Sequence, residues 1–415
     1  MAELVIRGAR MRDAQGMNDV AVSGGMITEV GPHIGEGAET EIPADGRLLT
    51  PGFVNIHCHL DKCLTNSWAR VWAESKSGAT DAIPGATDIK RGFNEDDIIE
   101  RATRALNSSV LCGTTAVRAF ADVDSVGGLL AVKSLLKVKQ RFSGIADIQV
   151  VAFPQEGIVR DEGAEELMEK AMELGADVVG AMPWYEKNPD AAKKHVDVAF
   201  RIARKYDRDM HALIDDNSDP NSRNIEYLLV RTNQEGMKGR VAASHCRGGL
   251  DSPDEVYAGR VYRLAKEAGL TVVENPHVSL FMYGRSDPHP VRRGVTRVKE
   301  FLREGVNVAI GQDDIDDPYY PFGRGDMLEL AWLMCHAAHL GSPAEMGSSF
   351  DMVTYNPARG MRLPRYGIRV GDYADLVLLD AENLHDTLRL QPDRLAVLKR
   401  GKLVAETKAR RILHS

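Results

Sequence analysis

The stretch NIHCHLDKC, residues 55–63, places two histidines, two cysteines, an aspartate and a lysine in nine positions. His57 and His59 are two residues apart. On a β-strand such residues point to the same face, so the two imidazoles can bind one metal ion while Cys58 points away into the core. A disulfide or redox patch and a crowded loop are the alternatives, and further ligands elsewhere in the chain must decide between them.

The composition is that of a large globular protein. The chain has 415 residues, 43% of them hydrophobic, and a net charge of −8, so it can bury a large core. The lack of a basic run argues against nucleic acid and anionic membranes as partners, and no apolar run reaches the roughly 20 residues of a membrane span. The odd number of cysteines and a start without an apolar segment indicate reduced thiols in the cytoplasm.

Both ends of the chain consist of short apolar runs broken by glycine, as in VAVSGGMITEVG (20–31) and LAVLKRGKLVAE (395–406). Arg400-Gly401 is typical of a hairpin turn between two strands. We therefore predict a small composite β-sandwich domain that is formed by residues 1–49 and 366–415.

The middle of the chain, residues 50–365, alternates between apolar β-rich runs and amphipathic stretches such as DIIERATRALNSSVLCG (97–113). This alternation predicts an α/β fold of the TIM-barrel type, a (β/α)8 barrel. An open doubly wound sheet is the competing fold, but no Gly-rich phosphate loop follows the first strand. The β-rich runs centre on Val54, Val117, Ile148, Val178, Met210, Val241, Val272 and Val308.

The longest connection, residues 66–92, follows the first barrel strand and contains two tryptophans and many small residues. Barrel active sites form at the carboxyl ends of the strands, so this segment is interpreted as a lid over the site. An inert excursion is the alternative interpretation.

Polar side chains recur where the predicted barrel strands end. Strand one ends in His57 and His59, strand five in His211, strand six in His245 and strand eight in Asp313. Three imidazoles and a carboxylate suit a divalent ion such as Zn²⁺ or Fe²⁺. Such an ion lowers the pKa of a water molecule, whose proton Asp313 can hold. The chain has no C-x-x-C pair, which argues against a structural zinc site.

The remaining histidines and the aromatic residues have less specific interpretations. An isolated histidine in an apolar run is usually a hydrogen-bonded core residue, and we interpret four in this way: His195, His277, His336 and His339. The last two lie in LAWLMCHAAHL (330–340), which is predicted to be a buried helix. A second set either stacks on a planar ligand or packs in the barrel: Phe281, Tyr283, Tyr319 and Tyr320.

These motifs together resemble the amidohydrolase superfamily. LLTPGFVNIHCHLD (48–61) and YGIRVGDYADLVLLD (366–380) are similar to the segments that open and close its members. Within the superfamily, VVAFPQEGI (150–158) and ASH (243–245) resemble the cytosine deaminases, whereas HCHLDK (57–62) resembles the N-isopropylammelide isopropylaminohydrolases. The similarity covers nearly the whole chain.

The resemblance implies roles for individual residues. The implied metal ligands are His57, His59, His211 and Asp313. His245 matches the residue that polarises the attacked centre, Gln155 the one that hydrogen-bonds the heterocycle, and Asp314 a second carboxylate beside the metal. Strand four (176–184) has no lysine, where relatives with two metals carry a carboxylated lysine. We therefore expect one divalent metal ion, Zn or Fe.

The chain departs from the cytosine deaminase pattern in the stretch HALIDD (211–216), which lacks the glutamate that follows the strand-five histidine in those enzymes. Another group must then supply a proton. Lys62 is the leading candidate, because burial and like charge beside a metal are expected to lower its pKa. Asp215 and Asp216 are the alternative donors. The alternative interpretation of Lys62 is a structural one, in which it pairs with Asp61 or another carboxylate at the strand ends.

These inferences predict an enzyme that hydrolyses an exocyclic C–N bond of a small N-heterocycle of pyrimidine or s-triazine type and releases ammonia or an amine. The predicted catalytic residues are Asp313, His245 and Lys62. A ring-opening cyclic amidase of hydantoinase type and a non-catalytic metal-dependent binder are the alternatives. The expected partners are a small heterocyclic substrate and further copies of the chain in a homo-oligomer.

Overall fold

The structure is a computed structural model that describes residues 2–35, 37–68, 82–252, 254–285, 287–409 and 412–413. The segment interpreted as a lid, residues 66–92, lies in part outside the described residues. Its last part forms the helix Ala82–Lys90. No helix in the described ranges is both long enough and apolar enough to cross a bilayer.

The strands are numbered along the chain. They are β1 (Leu4–Arg10), β2 (Met17–Ser23), β3 (Met26–Gly31), β4 (Thr40–Pro43), β5 (Leu48–Pro51), β6 (Phe53–Cys58), β7 (Thr114–Asp122), β8 (Asp147–Phe153), β9 (Val178–Ala181), β10 (Asp209–Ile214), β11 (Val241–His245), β12 (Thr271–Glu274), β13 (Asn307–Ile310), β14 (Leu376–Leu379), β15 (Arg394–Lys399) and β16 (Lys402–Glu406). The α-helices are Ala82–Lys90, Glu95–Leu111, Leu130–Arg141, Ala164–Glu173, Pro189–Lys205, Asn224–Gln234, Glu255–Ala268, Pro276–Met282, Val298–Arg303, Met327–Ala337, Pro343–Asp351, Tyr355–Gly360 and Leu384–Leu390.

The strands from β6 to β13 are parallel and pair in chain order. The barrel closes between its first and last strands, because Asp313 donates its N–H to the carbonyl of His57 (2.8 Å) and His59 donates its N–H to the carbonyl of Asp313 (2.9 Å). The eight β-rich runs of the sequence fall on these eight strands, so the predicted (β/α)8 barrel is confirmed.

The barrel strands are buried on both faces, as expected for parallel strands that are covered by helices; every residue of β7 is buried. The helices present an amphipathic face to them. Pro189–Lys205 is typical: Asn188 caps its first turn by accepting the N–H of Ala191, and Phe200 and Ile202 are among its buried residues. Inside the barrel, an apolar layer that includes Phe120 and Leu213 lies just below the strand ends.

The two ends of the chain form a second, mixed sheet in the order β16-β15-β14-β5-β1-β2-β3, with β4 paired to β1. The sheet branches at β1, which pairs with both β4 and β5, and its two halves share one apolar core. Arg400 and Gly401 have φ of 49° and 72° in the predicted hairpin turn between β15 and β16. The domain boundaries at 49/50 and 365/366 stay a prediction.

Two of the four histidines that were interpreted as core residues are buried, and two are not. His195 is buried between Glu186 and the N–H of Met182, and His277 is buried as well. His336 and His339 are exposed, so that interpretation is wrong for them. The helix Met327–Ala337 buries only one face, and its apolar sequence concealed which side chains face outward.

Candidate functional site

Three of the four predicted metal ligands converge where β6 and β13 end. The Nε2 atoms of His57 and His59 are 3.2 Å apart. They lie 3.2 Å and 3.4 Å from Oδ1 of Asp313, and all three side chains are buried. Cys58, between the two histidines, is turned into the core that lies outside the barrel, as strand alternation requires.

The fourth predicted ligand, His211 on β10, lies beside this point but faces a serine. Its ring centroid is 5.3 Å from that of His57, and its Nε2 is 2.7 Å from Oγ of Ser244. The same hydroxyl is 2.6 Å from Nδ1 of His57. Ser244 therefore orients two predicted ligands, as hydrogen-bonding groups around metal sites commonly do.

These donor atoms fit a divalent ion. Two imidazole nitrogens and one carboxylate oxygen lie within 3.4 Å of one another, with a third imidazole adjacent, and such N and O donors suit Zn²⁺ and Fe²⁺. Burial and the nearby Lys62 lower the pKa of His59 well below its ordinary value, and burial and Arg118 do the same for His211. Both rings are therefore neutral, which is the form that binds a metal.

His245, at the end of β11, lies between two carboxylates. Its Nε2 is 3.7 Å from Oδ2 of Asp313 and its Nδ1 is 3.2 Å from Oδ1 of Asp216. Asp216 also accepts hydrogen bonds from Arg247 and Tyr283, each at 2.6 Å. Burial opposes the ionisation of Asp216, but His245 and Arg247 outweigh it and hold its pKa below the ordinary value.

Asp215 points the other way. Its carboxylate accepts hydrogen bonds from the hydroxyl of Ser222, the side-chain amide of Asn224 (2.8 Å) and the N–H of Ile225 (3.0 Å). Asp215 has a left-handed φ of 48°, which ends the alternation of β10. Of the two aspartates that the sequence leaves open, the one that faces the predicted site is therefore Asp216.

A cavity of about 210 Å³ opens beside these groups. Its apolar walls include Met182, Trp184, Leu213 and Val278. Small-molecule sites commonly combine such walls with a few polar groups that orient the ligand. The lining also includes Tyr283 and Tyr319 and the imidazole, amide and carboxylate groups of His59, Gln155, Asp216, His245, Asp313 and Asp314. Five of these last six are residues that the sequence predicted for the site, and Asp216 is one of its two alternative proton donors.

Lys62 is buried behind this cavity. Its Nζ donates to Oδ1 of Asp122 (2.8 Å) and lies 3.8 Å from Oδ1 of Asp61 and 3.2 Å from Nδ1 of His59. Burial alone would lower the pKa of Lys62, but Asp122 and Asp61 outweigh it and raise that pKa. The expectation of a lowered pKa is therefore wrong, and the contacts of Lys62 are those of the alternative interpretation, in which it pairs with Asp61 or another carboxylate.

The two residues at the end of β8 have different surroundings. Oε1 of Gln155 accepts a hydrogen bond from Lys62 (3.3 Å). The amide nitrogen of Gln155 lies 3.6 Å from Sδ of Met182 and is the group of this side chain that can donate to a ligand in the cavity. Glu156 instead accepts a hydrogen bond from the hydroxyl of Thr87 (2.6 Å). Gln155 is thus the cavity residue of this pair, as the sequence predicted.

Asp314 lies next to the predicted ligands. It forms a possible metal-binding group with His59 and Asp313. Its Oδ1 is buried and has no hydrogen-bond partner within the part of the chain that the structure describes. Burial, Asp317 and Asp313 raise the pKa of Asp314 well above its ordinary value. A buried polar atom without a partner normally needs a ligand, ion or water to satisfy it.

Three residues at this edge of the barrel have a strained backbone conformation. Asp215, His245 and Asp313 have φ of 48°, 69° and 64°, in the left-handed region that residues other than glycine rarely occupy. Each such residue costs on the order of 1 kcal/mol, and such residues cluster at functional sites. All three lie at or just beyond the end of a barrel strand, where they redirect the site side chains.

Sequence analysis did not identify several residues that support the ligands. The ring of Phe120 stacks on His57 with centroids 4.1 Å apart, and Asn275 donates to Oδ2 of Asp313 (3.1 Å). Arg118 is buried inside the barrel, 3.4 Å from Nδ1 of the strand-five histidine. Asn275 could have been found from the sequence, because it directly follows the end of a barrel strand, as the predicted ligands do. Arg118 could also have been noticed, because it is a charged residue inside an otherwise apolar strand.

Comparisons with known proteins agree with this geometry. Residues 93–405 match the Amidohydrolase family. The N-isopropylammelide isopropyl amidohydrolase of Pseudomonas sp. (strain ADP) is 30% identical over 410 residues, which are 97% of each chain. The solved structure of 5-methylcytosine deaminase from Klebsiella pneumoniae, liganded with 5-fluorocytosine, has a TM-score of 0.92 and 33% identity over 99% of both chains. That of N-isopropylammelide isopropylaminohydrolase from Burkholderia multivorans has a TM-score of 0.83 and 28% identity, covering 98% of this chain and 99% of the other.

The family match extends over most of the barrel and into the second sheet, and the relatives align from end to end. The resemblance drawn from the sequence motifs is thereby confirmed. The chain belongs to the Amidohydrolase family, whose members are metal-dependent hydrolases, and it is an enzyme of that class.

Proposed function

We propose that the protein hydrolyses the exocyclic C–N bond of an amino-substituted pyrimidine or s-triazine ring and releases ammonia or an amine. The observation that carries the proposal is the convergence of His57, His59 and Asp313 within 3.4 Å beside a small cavity. The relatives that act on 5-methylcytosine and on N-isopropylammelide support a ring of this size and type.

One divalent ion, Zn or Fe, is the proposed cofactor, with His57, His59, His211 and Asp313 as its ligands. When bound, such an ion lowers the pKa of a water molecule toward neutrality and polarises the attacked carbon. Strand β9, where a carboxylated lysine would bridge a second ion, contains only Val178–Ala181. That sequence supports a centre with a single ion.

The remaining groups orient the substrate and handle protons. Asp313 holds the proton of the attacking water, and His245, kept in place by Asp216, faces the attacked centre. Gln155 donates to the ring, and Asp314 is the second polar group that the ring meets. Proton transfer by groups held in this way contributes typically 10²–10⁴-fold to a rate.

The role of Lys62 is revised within this proposal. The two carboxylates raise its pKa, and its Nζ contacts the oxygen of Gln155 at 3.3 Å behind the cavity. We therefore assign Lys62 the positioning of the Gln155 amide rather than the direct delivery of a proton.

The proposal also places the enzyme in the cytoplasm as a homo-oligomer. All five cysteines are free thiols, which supports a reducing compartment. Phe322 exposes 67% of its surface next to Phe281, and exposed apolar groups of this kind occur at subunit interfaces. Light scattering on the purified protein measures the number of subunits.

A panel of amino-substituted pyrimidines, s-triazines and cyclic amides tests the function. Release of ammonia or an amine with the ring intact is the expected result. Formation of a new carboxylate would instead identify a ring-opening cyclic amidase, and tight binding of a ring without turnover would identify a metal-dependent binder.

A further inference from the structure

The ammonium group of Lys62 lies inside a ring of donor atoms. Its Nζ is 2.8 Å from Oδ1 of Asp122, 3.2 Å from Nδ1 of His59, 3.3 Å from Oε1 of Gln155 and 3.8 Å from Oδ1 of Asp61. The lysine side chain is only 3% exposed. The donors come from the ends of the first three barrel strands, so the barrel itself fixes their positions.

Without the lysine, the same atoms would resemble a metal site. His59, Asp61 and Asp122 each offer a ligand atom, and these atoms all lie within 4.8 Å of one another. Oδ1 of Asp61 is buried and lacks a hydrogen-bond partner among the residues described. One imidazole nitrogen and two carboxylates, with the amide oxygen of Gln155 nearby, form a donor set that Zn²⁺ and Mn²⁺ accept.

His59 faces both positions. Its Nε2 lies 3.4 Å from Oδ1 of Asp313, at the proposed metal centre, and its Nδ1 lies 3.2 Å from Nζ of Lys62. With a metal ion at Nε2 and a second cation, ammonium or metal, at Nδ1, the ring of His59 would be a bridging imidazolate whose proton is released to solvent. The negative charge of Asp122 is shared by a second lysine, because Nζ of Lys90 is 2.8 Å from Oδ2 of Asp122.

We propose that Lys62 is a built-in second cation, whose ammonium fills a latent divalent-ion site formed by His59, Asp61 and Asp122 and so keeps the centre to one metal ion. The inference rests on the metal centre proposed above and adds what occupies the neighbouring position. Removal of Lys62 takes the paired cation from the buried Asp61 and leaves Asp122 with Lys90 alone. An unpaired buried carboxylate is costly in a protein interior, and a divalent ion relieves that cost.

Metal stoichiometry tests the inference. Wild-type protein and Lys62→Ala are each loaded with excess Mn²⁺, freed of unbound ion by gel filtration and analysed by mass spectrometry for metal per chain. Wild type is expected to hold one ion and Lys62→Ala two. Anomalous diffraction should place the second ion between Nδ1 of His59, Asp61 and Asp122, and the electron paramagnetic resonance spectrum should show two coupled Mn²⁺ ions.

Two control variants distinguish metal binding at the position of Lys62 from a general effect of removing a buried positive charge. Lys90→Ala removes another buried ammonium from the same Asp122 but leaves Lys62 in place, so it should hold one ion. Lys62→Ala combined with Asp61→Asn removes a ligand of the latent site and should return the content to one ion per chain.

Retention of a single ion by Lys62→Ala overturns the inference. The inference is also overturned if wild-type protein binds a second ion between His59, Asp61 and Asp122 with Lys62 displaced. This test does not depend on whether a variant folds. Wild-type protein without any bound metal would refute the proposed metal centre. That outcome differs from the two that overturn the inference about Lys62.

Discussion

The buried Asp215 and the half-buried Asp216 are adjacent and face in opposite directions, so the same substitution at each position gives a comparison between a site residue and its neighbour. In Asp216→Asn the buried Arg247 loses its charged partner, and a hydrogen bond to a charged group contributes about 1.5–3 kcal/mol. The neutral amide also attracts the imidazole of His245, whose Nδ1 lies 3.2 Å from Oδ1 of Asp216, less strongly than the carboxylate does. We expect kcat/KM to fall on the order of 10²-fold or more, because a misoriented imidazole no longer faces the reacting centre.

Asp215→Asn is the control. It weakens hydrogen bonds from Ser222, Asn224 and Ile225, each worth about 1 kcal/mol, so its loss of stability should be similar to that of Asp216→Asn. Its kcat/KM should be unchanged. Urea unfolding gives the two stabilities, and ammonia or amine release gives the two activities. Equal losses of activity in both variants would refute the assignment of Asp216 to the site.

Three further predictions concern the metal, the packing around it and the buried pair of His195 and Glu186 away from the site. Removal of metal with a chelator should lower Tm, because an ion at 100 times its Kd contributes about 2.7 kcal/mol; a Tm that stays the same in calorimetry would contradict a bound ion. Gly311→Ala places a Cβ 2.6 Å from that of His57, so we expect a loss of about 1–3 kcal/mol from overpacking and weaker Zn²⁺ binding in titration calorimetry. Burial lowers the pKa of His195 below 6.5, so protonation favours the unfolded chain and stability falls as pH drops below that value. In His195→Gln the loss of stability below pH 6.5 should disappear from the pH dependence of urea unfolding. A pH profile that matches that of wild type would contradict the assignment of this loss to His195.

The barrel was predictable because its strands are buried on both faces and read as apolar runs. Strand β4, in contrast, was not predicted: Thr40–Pro43 is short and largely exposed, so it carries no hydrophobic pattern. The exposure of His336 was missed because Glu329 is the only charged residue in the helix Met327–Ala337 and the rest of its sequence is largely apolar. Pattern alone does not reveal which face of such a helix the sheet covers.

The convergence of His57, His59 and Asp313 was predictable because strand alternation and the strand-end rule need only local sequence. The choice between Asp215 and Asp216 was not, because it depends on a left-handed residue that ends the alternation. The surroundings of Lys62 depend on Asp122, sixty residues away on the next strand, and such a pairing follows only from the folded barrel. This distant carboxylate reversed the predicted direction of the Lys62 pKa shift.

One metal ion held by this chain is proposed to carry out C–N hydrolysis on a nitrogen heterocycle. The most direct test titrates metal-free protein with Zn²⁺ or Fe²⁺ while ammonia or amine release from the best substrate of the panel is measured. Activity is expected to be absent at the start, to rise in proportion to added metal and to saturate at one ion per chain. Full activity in the presence of excess chelator, or saturation only at two ions per chain, would contradict it.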